Sequence, residues 1–149
     1  MIKRWLGAAA LVLMLAACGE KGAALRADPS NRTQVALGEK TYAAQCAACH
    51  GAKLEGQPNW RRRLPNGRLP APPHDDSGHT WHHPEEVLFG ITQRGLVPPY
   101  APKDYESDMP AYAGKLSDDE IYAVLAYIMS HWSKEVLAVR AEMLGNRAR

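Results

Sequence analysis

Apolar positions recur with a helical period in three parts of the chain, and the first of these begins near residue 31. Spacings of three and four residues put one set of small and apolar side chains on a single helix face, which consists of Val35, Gly38, Tyr42, Cys46 and Cys49. Glycine lowers helix propensity, so its presence on that face indicates that another stretch of backbone passes close to Gly38.

A second helix is predicted by the signals at its two ends. Pro84 suits a first helical position, the two glutamates after it favour the positive end of the helix dipole, and Gly95 suits the stop. The buried face of this helix is expected to consist of Val87, Leu88 and Ile91.

The last helix has the strongest signal in the sequence. Ser117 and Glu120 form a capping-box pair just before an apolar stripe made up of Ile121, Leu125, Ile128, Met129 and Trp132. The helix is expected either to continue past Ser133 or to bend there and resume as far as Leu144.

Two long irregular stretches, residues 51–84 and 96–115, separate the predicted helices. Both are rich in proline, and neither has a sustained helix or strand period. Loops of this length are usually functional or wrapped around something. The sequence therefore predicts an all-α fold of three to four helices with long loops, whose thin apolar core needs something large and apolar at its centre.

The N-terminus has the pattern of an export signal. Lys3 and Arg4 precede an apolar run over residues 6–17, which is shorter than the roughly 20 residues that a membrane-spanning helix needs. The sequence LAAC at positions 15–18 resembles the lipobox of bacterial lipoproteins, in which the cysteine is acylated and becomes the mature N-terminus. An ordinary signal peptide, cut after a small residue, is the alternative.

Four segments follow from this interpretation. They are a lipoprotein signal peptide at 1–17, a lipidated N-terminus and flexible tether at 18–32, a folded domain at 33–132, and a helical extension or tail at 133–149. As a flexible coil, the tether reaches on the order of 20 Å. Gly19 stands where an inner-membrane retention signal has aspartate, so Cys18 is expected to anchor the exported protein in the outer membrane of a diderm host.

The charge of the chain argues against a nucleic-acid partner. The net charge of +2 comes from Lys3 and Arg4 of the signal, so the exported chain is balanced. A nucleic-acid site at the basic run of 60–63 and Arg68 would need stacking aromatics and a broader positive surface, and the exported chain is balanced in charge. We therefore expect no nucleic-acid partner.

Candidate chemistry is concentrated in the sequence CAACH, at Cys46, Cys49 and His50. Cysteines at i and i+3 lie on one side of a helix, so both can reach the vinyl edges of one porphyrin while His50 turns toward the iron. A redox dithiol is expected in a βαβ pattern, which the sequence lacks, and a zinc site needs further ligands at suitable spacing. The signature thus favours covalent attachment of one haem c over both alternatives.

A second axial ligand is expected from the opposite face of the haem. Met109 lies in a loop just before Pro110, whose fixed φ stiffens the segment. Met129 falls on the apolar stripe and is expected in the core, while Met143 lies near the tail. The rival ligands are the histidines His74, His79, His82, His83 and His131. An open site is the remaining alternative.

Residues 33–132 resemble a class I c-type cytochrome. The resemblance rests on Gly38 and Tyr42 ahead of CAACHG, on the Met-Pro pair at 109–110, and on the pattern of the last helix over residues 120–128. It implies a small all-α, cytochrome c-like shell around one covalently bound haem, with Gly38 against Tyr127 where the first and last helices cross. The implied function is single-electron transfer.

The resemblance also implies roles for individual residues. Cys46 and Cys49 would form the thioether bonds to haem c, and His50 and Met109 would be the axial ligands of its iron. A proline carbonyl after the motif would accept the Nδ1 hydrogen of the axial histidine, and Pro72 is our choice among the prolines at 70, 72 and 73.

Other functions stay open at this point. One is a haem protein with an open site that acts as an enzyme or gas sensor. Another is metal handling, with copper bound by the cluster of His74, His79, His82 and His83. The electron carrier itself would be no enzyme and would take no small-molecule substrate. It would dock transiently on redox partner proteins, and its lipid anchor would hold it at the membrane.

Overall fold

The computed structural model describes residues 25–147, in which the regular structure is helical. Five α-helices and one 3-10 helix are present: α1 (Arg32–Gln45), α2 (Ala47–His50), the 3-10 helix Thr80–His82, α3 (Glu85–Arg94), α4 (Asp118–Ser130) and α5 (Lys134–Arg147). Between residues 25 and 147 no strand forms, and the one β-contact is an isolated bridge between Ala113 and Leu116. The predicted all-α class is confirmed.

The helix count exceeds the predicted three to four because the first periodic segment is divided. Cys46 separates the two parts: it is the C-cap of α1, with φ at −118°, and its N–H donates to the carbonyl of Tyr42 at 2.8 Å. A four-residue helix, α2, follows and ends at Gly51, whose φ of +82° favours glycine. The period carries across the break, which is why the sequence alone did not reveal it.

Helices α1 and α4 cross at Gly38, as its position predicted. A Cβ atom on Gly38 would lie 1.9 Å from the carbonyl oxygen of Ala123 and 2.8 Å from Cβ of Tyr127. Glycine therefore allows the two backbones to approach closely. Beside this point the rings of Tyr42 and Tyr127 lie 5.3 Å apart.

The core is built mainly from α4 and one side of α1. Its buried members are Tyr42, Leu54, Leu88, Val124, Leu125, Ile128, Met129 and Trp132. Met129 is a core residue, as expected from its place on the apolar stripe. On α3 only Leu88 of the predicted face is fully buried, whereas Val87 and Ile91 are half-buried. The core is thin for a chain of this length.

Local signals set most helix ends. Ser117 and Glu120 form the predicted capping box at the start of α4. Pro84 is the residue before α3 instead of its first residue, and Gly95 ends that helix at φ +83°. The chain bends after α4, and α5 then begins at Lys134. Of the two predicted outcomes, a continuous helix or a bend at Ser133, the structure has the bend.

The N-terminal boundary of the domain is held by side-chain contacts. The Gln34 side-chain amide donates to the carbonyl of Arg26 at 2.8 Å, Ala27 packs against the core, and Asn31 caps α1. The predicted signal peptide at 1–17 and Cys18 lie outside the described residues. Within the described part, no helix has the length and apolar character needed to cross a membrane.

Candidate functional site

Of the two cysteines of the CAACH motif, Cys46 lies at the break between α1 and α2, and Cys49 lies within α2. Cys46 is half-buried and Cys49 is exposed, and both are free thiols. Burial, assisted by the nearby Cys49, raises the pKa of the Cys46 thiol to about 11. A redox dithiol relies instead on a thiol of lowered pKa, because the thiolate is the nucleophile. The pKa of Cys46 is therefore shifted in the direction opposite to that of a nucleophilic thiol in a redox dithiol.

His50, at the end of α2, is fixed by a backbone carbonyl. Its Nδ1 lies 2.9 Å from the carbonyl oxygen of Pro72, and the side chain is 9% exposed. A carbonyl oxygen can only accept, so Nδ1 carries the proton and Nε2 keeps its lone pair for a metal. Burial lowers the pKa of His50, against the opposing effect of the Pro72 hydrogen bond, and so favours the neutral ring.

The loop after the motif is held in register by backbone hydrogen bonds. The N–H of Gly56 donates to His50 at 2.8 Å, that of Gln57 to Ala71 at 2.9 Å, and that of His74 to Leu54 at 2.7 Å. These bonds bring the carbonyl of Pro72 to the imidazole. The contact is the one expected of Pro72 among the three neighbouring prolines.

His74 lies beside His50. Its ring edge contacts the His50 ring at a centroid distance of 4.0 Å and an interplanar angle of 81°. Both ring nitrogens are buried and lack a hydrogen-bond partner within residues 25–147, and burial holds the pKa of His74 well below its usual value. A ligand on the opposite face of the haem would be separated from His50 by the porphyrin. Because His74 contacts His50 directly, it is a poor candidate for that second axial position.

The other histidines of the cluster pack on aromatic rings. His79 stacks on Trp60 at 5.3 Å, and His82 stacks on Trp81 at 3.6 Å. His83 meets His79 edge-on at 5.4 Å. Among residues 25–147 there is no group of three His, Cys, Asp or Glu side chains placed to hold a metal ion. Neither the zinc reading nor the copper-handling alternative finds a ligand set there.

The Met109 segment is fastened on both sides. Asp108 pairs with Arg68, which also contacts Glu106 at 3.5 Å. The Tyr112 hydroxyl donates to the carbonyl of Gln45 at 2.6 Å, one residue before Cys46. Met109 is half-buried between these two attachments. The Tyr112 hydrogen bond thus connects the methionine segment to the residue just before the CAACH motif.

The basic loop packs on its neighbours. The Arg61 guanidinium lies 4.0 Å from the centre of the Trp60 ring, and that of Arg63 lies 5.7 Å from the ring of Tyr105. Arg68 is engaged with the acidic residues Glu106 and Asp108, which offset its charge.

The residues present fit a covalently attached haem. Two thiols three positions apart lie beside an imidazole whose Nδ1 is already engaged, which is the donor set that attachment and axial ligation need. The indole Nε1 of Trp81 is buried without a hydrogen-bond partner in the described part of the chain. Such a donor suits an acceptor on a bound group.

Comparisons with known proteins agree with this geometry. The sequence model of the Cytochrome c family matches residues 35–132. Cytochrome c6 of Leptolyngbya boryana is 31% identical over 99 residues, which make up 66% of this chain and 94% of that protein. No solved structure matches significantly. The chain therefore belongs to the cytochrome c family and is an electron carrier with one covalently bound haem c.

Proposed function

We propose that the protein carries single electrons through a haem whose axial ligands are His50 and Met109, with Cys46 and Cys49 forming the thioether bonds. The observation that carries the proposal is the hydrogen bond from Nδ1 of His50 to Pro72, which leaves Nε2 free to bind iron. When bound, the haem supplies one-electron chemistry at its iron, and a Met/His ligand pair raises its potential.

The chain contributes orientation and a constant environment. The Pro72 carbonyl fixes the tautomer and the ring plane of His50, which also increases the basicity of the ligand nitrogen. Trp132 Nε1 donates to the His74 carbonyl at 2.8 Å and so joins the segment just after α4 to the loop beside His50. Groups held in this way would need little rearrangement when an electron is gained or lost, which would favour rapid transfer.

The attachments around Met109 support its assignment. The Arg68 pair fixes the residue before it, and Tyr112 fastens the segment after it to the end of α1. Backbone bonds from Tyr112 to Thr92 at 3.1 Å and from Ala113 to Gln93 at 2.8 Å add a hold from α3. Met129 is the competing sulfur ligand. Its side chain is packed in the core and only 6% exposed, so its sulfur is less available to a haem iron.

Met109→Ala is expected to lose the red sulfur-to-iron absorption band of the ferric protein and to lower the reduction potential. The vacated position would accept cyanide, and its affinity should rise at least about tenfold because methionine no longer competes. Visible spectra, a redox titration and a cyanide titration measure the three effects.

The matched control is Met129→Leu, a volume-conserving core change that usually costs less than about 1.5 kcal/mol. It should keep the band and the wild-type cyanide affinity. A wild-type protein that lacks the band and binds cyanide as readily as Met109→Ala would establish the open-site alternative instead.

We also propose that Cys18 carries a lipid that anchors the exported protein, with the outer membrane preferred. The support is the LAAC pattern and the short apolar run before it. Cys18→Ser should abolish incorporation of labelled fatty acid and release the haem protein from the membrane fraction, while Gly19→Ala should do neither. Retention of Cys18→Ser in membranes washed with high salt would contradict the anchor.

Partners are proposed to be redox proteins that dock briefly. Electron-transfer contacts are small, below about 1,200 Å² in total, which permits rapid release. We propose no small-molecule substrate and no enzymatic reaction for the protein. The second candidates, a gas sensor and a copper-handling protein, gain no support from the packing of the histidines described above.

A further inference from the structure

Arg140 lies in the middle of α5, outside the residues that match the family, yet it is only 8% exposed. Its Nη1 donates to the carbonyl of Trp81 at 2.7 Å and to that of His83 at 2.5 Å. The guanidinium carbon also lies 5.3 Å from the centre of the Trp132 ring. One buried side chain therefore fastens the C-terminal helix to the 3-10 helix and to the residue after it.

Burying a guanidinium costs solvation free energy, so its hydrogen bonds have to compensate for that cost. Burial lowers the pKa of Arg140, and the nearby carboxylates of Glu85 and Glu86 act in the opposite direction. Removing the side chain would leave two inward carbonyls without this donor, which is more costly than the loss of an exposed hydrogen bond. The backbone at 81–83 is thus held by a residue 57 to 59 positions away.

The segment held by Arg140 carries an unpaired donor. The indole Nε1 of Trp81 is buried and has no hydrogen-bond partner among residues 25–147. The Trp81 ring packs against the core cluster, on which Cys46 and Ala47 also pack. A buried indole N–H usually has a partner. The haem proposed to attach at Cys46 and Cys49 would offer one.

We propose that Arg140 is a positioning residue of the haem site, which fixes the backbone of Trp81 and so directs its indole N–H toward the haem. The inference rests on the proposed haem site. A donor directed at the haem favours the reduced state, because that state carries one more negative charge. Turning the donor away therefore lowers the reduction potential.

A double-mutant cycle on the holoprotein tests this role by redox titration. Trp81→Phe and Arg140→Met should each lower the potential, by an amount equivalent to about a fivefold change in the ratio of reduced to oxidised protein, as for one hydrogen bond. The reduction potential of the double variant should be no lower than that of the single variant with the larger effect. Lys134→Met removes the same charge from an exposed position of α5 and should leave the potential unchanged.

Two results would overturn the inference: an unchanged potential in Trp81→Phe, or falls that add in the double variant. If Arg140→Met does not accumulate with haem, Arg140→Gln takes its place, since its shorter amide cannot span both carbonyls. The wild-type protein separates this inference from the proposed function. Absence of covalent haem or of the sulfur-to-iron band refutes the proposed site, whereas an additive cycle in a normal wild-type background refutes only the role of Arg140.

Discussion

A chain with Cys46→Ala and Cys49→Ala, which cannot attach haem, is expected to lose most of its helical circular dichroism. Helix α1 has 14 residues but buries only Gly38, Thr41 and Tyr42. Isolated helices shorter than about 12–15 residues are marginal in water, so α1 depends on packing. Small metal-binding domains are unfolded without their metal for the same reason.

Far-ultraviolet circular dichroism of the haem-free chain measures this loss. The Cys18→Ser variant is the matched control, because it removes a thiol and leaves the CAACH motif intact. It should keep both haem and helix content. A haem-free double variant with the helical signal of the holoprotein would show that the core formed by α1 and α4 suffices on its own.

Gly38→Ala is expected to destabilise the holoprotein by about 3 kcal/mol or more, at the upper end of the range for overpacked cores. The added Cβ would lie 1.9 Å from the Ala123 carbonyl, which is backbone and cannot rotate away. The two helices must separate to admit the methyl group. Thermal denaturation should show a decrease in Tm on the order of 10 °C.

Gly145→Ala makes the same change within α5, where a Cβ would meet no described atom within 4 Å. It should be neutral or should raise stability by up to about 1 kcal/mol, because alanine is the better helix former. Equal melting temperatures for Gly38→Ala and the wild type would mean that α1 and α4 are farther apart in solution than the crossing requires.

The features that sequence reasoning predicted are those set by local chemistry. The capping box of α4 needs only Ser117 and Glu120, and the end of α3 needs only Gly95, so neighbouring residues suffice to recognise them. The thioether motif is likewise contiguous. Local signals do not distinguish Pro72 from the prolines at 70 and 73. The register that brings the Pro72 carbonyl to His50 depends on backbone hydrogen bonds across the loop.

The features that sequence reasoning missed depend on contacts between distant segments. Arg140 looks like one more solvated charge on a helix, and its burial follows from carbonyls more than 50 positions earlier in the chain. A signal was present, because Val136, Arg140 and Met143 recur on one face of α5. His74 was grouped with the loop histidines, and only the folded loop brings it against His50.

If Cys18 is lipidated as proposed, the contacts of Arg26 and Ala27 with the domain limit how far the domain can move from the membrane. Side-chain contacts already hold those residues to the domain, so an anchor at Cys18 would be separated from Arg26 by only eight Cα–Cα steps. Fully extended, that length spans at most about 28 Å. Under the proposed lipidation, the electron carrier would search a shallow layer next to the bilayer. Its exchange partners would then be those whose redox groups come within that layer.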